Sequence, residues 1–89
     1  MVIISYDISN DKKRTAFSKY LKKFGYRLQY SVFVIKNSDR VLNNIIYDID
    51  NKFLKTFSQE DSIYIFKINE DKIIKYGYAK NDSDIFIIN

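Results

Sequence analysis

The 89 residues, 46% hydrophobic and 17% aromatic, suffice for one small domain with a packed core and exclude a disordered chain. Cysteine and histidine are absent, which removes disulfides, thiolate metal sites and imidazole catalysis and leaves carboxylates, hydroxyls, Lys, Arg and a hard, oxygen-seeking cation. The net charge is +4, but residues 10–40 hold nine Lys/Arg against two acids, a net +7, so the remainder is −3.

The chain opens with Val2 to Tyr6, a short apolar and aromatic run that reads as a buried strand ending in a carboxylate, Asp7. Ser9-Asn10-Asp11 follows as a helix N-cap cluster. Phe17, Tyr20, Leu21 and Phe24 then recur at i, i+3, i+4 and i+7 and give the helix one apolar stripe. Gly25 stands where a left-handed C-cap is expected. A second strand is predicted over Tyr26–Ile35, long enough to be kinked into two. Lys36-Asn37-Ser38-Asp39 caps a second helix, predicted from about Asp39 to Phe57, with Leu42, Ile45, Ile46, Ile49, Phe53 and Phe57 on one side. Ser58–Asp61 breaks it, and Ser62–Ile68 is a β-branched, aromatic strand. Asn69-Glu70-Asp71 reads as a hairpin turn into a strand over Lys72–Tyr78, and Ile85–Ile88 as a last short strand. No apolar run reaches 18 residues and no signal peptide opens the chain, so a cytoplasmic protein with no membrane partner is expected.

One α+β domain over residues 1–89 follows: a ferredoxin-like βαββαβ sandwich with an extra C-terminal strand. Each helix has a single apolar stripe, so both must cover the same face of one antiparallel sheet. Side chains alternate across a strand. Val2, Ile4 and Tyr6 share one side, and Ile3, Ser5 and Asp7 the other. Leu28, Tyr30, Val32 and Val34 form an apolar set expected to meet the helices, and Arg27, Gln29, Ser31 and Phe33 are assigned to the bare face beside Ser5 and Asp7. Such a half-polar face suits a protomer interface with a functional rim. The simpler alternative is a solvated Asp7–Arg27 ion pair. The basic segment is likewise either a surface for a polyanion or a solvated helix face.

Two stretches carry a family resemblance. Tyr6-Asp7-Ile8-Ser9 followed by Lys12-Lys13-Arg14, and Gly25-Tyr-Arg27-Leu-Gln29-Tyr-Ser31-Val-Phe33, together resemble the small CRISPR-associated adaptation proteins, the dimeric partners of the spacer integrase. The resemblance implies a homodimer packed through the sheets, with the terminal strand 85–88 added to the neighbour's sheet. It also implies a divalent ion, Mg²⁺, shared across the two-fold axis by the two copies of Asp7. Tyr6, Arg14, Arg27, Ser31 and Phe33 match positions the family uses around that site. The activities implied are metal-dependent endonuclease cleavage of RNA or DNA, and binding of duplex DNA with the integrase during spacer acquisition.

The chemistry available fits that outline. Two carboxylates at a dyad can hold Mg²⁺, which takes oxygen ligands and keeps several waters. Arg27 is then expected to stabilise charge on the phosphate, and Ser31 to hold the phosphate or the aspartate. Lys12, Lys13, Arg14, Lys19 and Lys23 are the expected phosphate contacts of duplex DNA or single-stranded RNA. The alternatives are a free-standing ferredoxin-like ribonuclease toxin of the virulence-associated type and a single-strand RNA-binding module that stacks bases on Tyr and Phe. The second is disfavoured, because the "QYSVF" stretch is unlike that module's aromatic motifs and dimerisation would hide the sheet.

Overall fold

The computed structural model describes residues 1–77. Strand β1 (Val2–Asp7) leads into helix α1 (Asp11–Leu21), strands β2 (Gly25–Gln29) and β3 (Val32–Ile35), helix α2 (Asp39–Asp48) and strand β4 (Ser62–Lys67). The four strands form one antiparallel sheet in the order β2-β3-β1-β4. This is the ferredoxin-like arrangement expected from the sequence.

Both helices start where the polar clusters place them. The Asn10 side chain accepts the Lys13 N–H at 3.0 Å, and the Ser38 hydroxyl accepts the Val41 N–H at 3.3 Å. Each bond satisfies a donor left over by the first helical turn. Val2, Ile4 and Tyr6 of β1 are buried against Phe17 and Leu21 of α1 and Leu42, Ile45 and Ile49 of the second helical segment. Burying each large apolar side chain is worth about 1.5–3 kcal/mol, so this layer supplies the main cohesion. The second helical segment keeps its expected span but changes pitch. After Asp48 it becomes a π-helical turn (Ile49–Phe53), then a 3-10 turn (Leu54–Thr56). The wider turn carries Phe53 to Phe17 and Tyr20, with both ring centroids 4.9 Å away. Tyr20 also donates to Asp48 at 2.6 Å, tying α1 to α2.

Four expectations change. Gly25 is not a left-handed cap: α1 closes at Lys22 in right-handed geometry, and Gly25 is the first residue of β2. A Cβ there would lie 1.9 Å from the Val34 carbonyl oxygen, so glycine is required by close approach of two backbones. The left-handed residue is Ser31, at φ 64°, in the turn between β2 and β3. In β3 the faces are exchanged. Phe33 pairs with Ile4 and Arg27, and Val32 with Ser5, so Phe33, Ile35 and Arg27 face the helices while Val32 and Val34 lie on the open face. The larger Phe33 and Ile35 fill the core, being 0% and 2% exposed. Finally, no strand forms over 73–77. Glu70–Lys72 is a 3-10 turn rather than a hairpin turn, and Ile74 and Tyr76 beyond it are 80% and 91% exposed. Tyr78 and the expected strand Ile85–Ile88 lie outside the described residues. Among the described residues, no helix is long and apolar enough to cross a membrane.

Candidate functional site

Tyr6, Asp7, Arg14, Arg27 and Ser31 gather at one end of the sheet, where β1 finishes, α1 starts and β2 turns into β3, but the sheet divides them between its faces, and Lys19 and Lys23 lie at the other end of α1. Asp7 is the last residue of β1, opposite Ser62 of β4, and is exposed. It shares the open face with Ile3, Ser5, Val32 and Val34, and with Tyr64 and Phe66 of β4. Tyr64 and Phe66 stack at 6.2 Å and remain 62% and 44% exposed. This face is more apolar than the sequence suggests, because it carries half-buried Val32 and buried Val34 in place of Arg27 and Phe33.

Tyr6, Arg27 and Ser31 lie with the helices. Together with Arg14, Thr15, Ser18 and Tyr30 they line a shallow pocket of about 190 Å³. The turn is fixed by the Tyr6 N–H, which donates to the Ser31 carbonyl at 3.1 Å. Burial pushes the Tyr6 hydroxyl above its ordinary pKa; the Arg27 charge and hydrogen bonding with Ser31 and Arg27 oppose the rise, and Tyr30 adds to it. The phenol is therefore a neutral hydrogen-bonding group at physiological pH. The Arg27 guanidinium sits 5.2 Å from the Phe33 ring centroid, so Phe33 acts as a floor for a cation. Arg14 donates to the Ile8 carbonyl at 3.0 Å, pairs with Asp11, and lies 5.9 Å from the Tyr30 ring centroid. Asp7 and Arg27 form no ion pair, since opposite faces of the sheet separate them. Within the chain Asp7, Arg27 and Ser31 do not converge on one point.

The loop after Asp7 is held by a residue that the sequence marks only as part of a helix break. Asp61 accepts the Ser9 N–H at 3.0 Å, the Ser9 hydroxyl at 3.2 Å and the Ser58 N–H at 2.9 Å. The backbone donors of Ser58 and Ser9, in that order, hold its carboxyl below the usual carboxylate range, against a small opposing effect of desolvation. The only sequence signal is the Ser58-to-Asp61 spacing of a side-chain-capped turn; the partner 52 residues away leaves none.

The basic residues of α1 and the turn after it separate by role. Lys12 and Lys19 are exposed on one face of α1 at i and i+7, about 10 Å apart at helical rise, and Lys23 is exposed in the turn after the helix. Lys13 is half-buried and gives its ammonium to the Thr56 carbonyl. Among the described residues no three acidic side chains cluster to hold a metal. Asp7 therefore fits a hard cation only as a one-carboxylate contribution, completed by oxygens from elsewhere.

The family model described as CRISPR associated protein Cas2 matches residues 1–75. A Chloroflexus aurantiacus protein named CRISPR-associated endoribonuclease Cas2 3 is 32% identical over 87 residues, which is 92% of this chain and 88% of that protein. A hypothetical protein from Thermus thermophilus superposes with a TM-score of 0.62 at 26% identity, over 76% of this chain and 79% of that one. Cas2 of Streptococcus pyogenes superposes with a TM-score of 0.64 at 20% identity, over 85% and 98%; at that identity the match speaks for the fold.

Proposed function

The chain belongs to the CRISPR-associated Cas2 family, and we propose that it serves CRISPR adaptation as a homodimer that binds duplex DNA beside the integrase and cleaves phosphodiesters with a divalent cation. The observation that carries this reading is Asp7, an exposed carboxylate at the rim of a largely apolar sheet face on which Tyr64 and Phe66 stay exposed among the described residues. Apolar faces of this kind mark association surfaces, and pairing two copies through them would bring two Asp7 side chains to one dyad. The name endoribonuclease borne by the Chloroflexus relative supports RNA as the cleaved substrate.

The two Asp7 carboxylates would hold the ion, and Mg²⁺ suits them because it accepts few carboxylates and retains its waters. When bound, it neutralises charge on the scissile phosphate and orients the attacking water. Around it, the chain's own groups hold the strand. Exposed Lys12, Lys19 and Lys23 offer phosphate contacts that are indifferent to sequence. The Asp61 bonds to Ser9 keep the loop beyond Asp7 in place.

The test compares wild type with Asp7→Ala on single-stranded RNA and on duplex DNA, with Mg²⁺ and with chelator. Wild type should cleave RNA only with Mg²⁺. Asp7→Ala should lose cleavage by about a hundredfold or more and keep its affinity for duplex DNA. A variant that cleaves as fast as wild type would overturn the assignment of Asp7.

A further inference from the structure

We infer that the sheet end opposite Asp7 holds a second nucleic-acid contact, in which an unpaired base of a single strand enters an apolar pocket and Lys22, Lys36 and Arg40 take its flanking phosphates. The inference rests on the reading that this chain engages nucleic acid. It adds a place for single-stranded segments, remote from Asp7.

Topology supplies the first argument. At this end of the sheet β1 and β2 begin and β3 finishes, with Ile35 paired to Val2 on one side and to Gly25 on the other. Asp7 lies at the far end of β1, about 17 Å away at strand rise. Lys22 belongs to the turn after α1, Lys36 follows β3, and Arg40 is in the first turn of α2. The Lys36 N–H donates to the Phe24 carbonyl at 2.9 Å, which closes the turn after α1 onto the end of β3. Three separate stretches of sequence thus deliver a cation to one corner.

Charge supplies the second. Lys22, Lys36 and Arg40 are exposed, and none joins an ion pair among the described residues, where the pairs are Arg14–Asp11 and Lys52–Asp48. The acids of this corner are Asp39, beside Arg40, and Glu70, and with Lys23 the cations outnumber them by two. Unpaired cations that converge attract a polyanion.

The third argument is the cavity beside them. Met1, Phe24, Tyr26, Val34, Lys36 and Asn37 are among the residues around a pocket of about 320 Å³, within the span of small-ligand pockets, roughly 300–1,000 Å³. Its wall is mostly apolar. Its exposed members, Lys36, Asn37 and Glu70, lie beyond the ends of β3 and β4, outside the sheet face itself. An apolar pocket flanked by free cations suits a single strand, which offers an apolar base face and a phosphate within one nucleotide. Duplex DNA offers this corner phosphates alone, because its bases are paired and stacked. The Asn37 amide can both donate to and accept from a base edge.

The probe is a decathymidylate single strand, followed by methyl NMR and by binding titrations at several salt concentrations on the full chain. The strand should shift the Met1 and Val34 methyl signals and leave those of fully buried Ile45 in place. An abasic strand of the same length should leave the Met1 and Val34 signals unmoved. Replacing Lys22, Lys36 and Arg40 together with Ala should reduce the slope of log K against log salt for decathymidylate by up to about 2, at about 0.7 for each phosphate no longer neutralised. All three side chains are exposed, so the fold is kept. Asp7→Ala should bind the strand and shift both signals as wild type does. Silent Met1 and Val34 signals in a chain that binds the strand would overturn the inference and leave the pocket to another occupant, such as an apolar segment of a second copy. Equal shifts with the abasic strand, or an unchanged slope in the triple variant, would overturn it too. A chain that binds duplex DNA but not the strand overturns this contact alone; one that binds neither overturns the nucleic-acid reading with it.

Discussion

Asp61 fixes the approach to Asp7 without belonging to any motif. Three donors converge on its carboxylate and lower its pKa. A carboxyl depressed in the folded state stabilises the fold above its unfolded pKa, and that contribution is lost as pH falls through the folded value. Asp61→Asn should therefore lower the thermal midpoint at pH 7, and the gap from wild type should close below about pH 4. Paired melting curves across that range measure it; a gap that persists in acid would assign the effect to packing instead of charge. At this scale the sequence is partly legible. Asp7 stands out as an acid closing an apolar strand, and Asn10 and Ser38 as caps. Asp61 and the pocket hydroxyls of Thr15 and Ser18 do not, because their roles depend on contacts with distant segments or on the helix phase at its meeting with β2.

The strand pair β2–β3 shows what periodicity decides and what it leaves open. Alternation correctly groups Arg27 with Phe33 and Val32 with Val34. It cannot say which group meets the helices when both contain apolar residues. Side-chain size decides, since Phe33 and Ile35 fill the space above Ile4 and Val2 while Arg27, nearer the rim, keeps its head by the pocket. Gly25 is the point on which this pairing turns. Gly25→Ala places a methyl against the Val34 carbonyl and should cost about 3 kcal/mol, read as a fall in the urea midpoint. A cost near zero would mean that β2 shifts along β3 without penalty. The second helix is legible in extent from its apolar stripe, but its π turn is not, since no residue type announces one.

For the whole molecule, the order of elements and the antiparallel sheet follow from one apolar stripe per helix and from the strand runs. The expected continuation over 73–77 fails because apolar alternation at Ile74 and Tyr76 indicates a strand only when an edge pairs with it. The +7 segment runs from α1 to the start of α2, and Lys12, Lys19, Lys22, Lys23, Lys36 and Arg40 are its exposed cations, with Lys12 and Lys19 on α1 itself. Replacing Lys12 and Lys19 with Ala should reduce the slope of log K against log salt for duplex DNA by up to about 3.6 per dimer, at about 0.9 for each of the four phosphates no longer neutralised. An unchanged slope would show that these two lysines only solvate the helix.

On the proposed reading, one carboxylate per chain becomes a metal site only when two chains meet. Calorimetric titration with Mg²⁺, at a concentration where light scattering gives the mass of the particle, tests it most directly. A dimer that binds one ion per two chains through Asp7, and an Asp7→Ala dimer that binds none, are the expected results. A monomer, one ion per chain, or unchanged Mg²⁺ affinity in Asp7→Ala would contradict it.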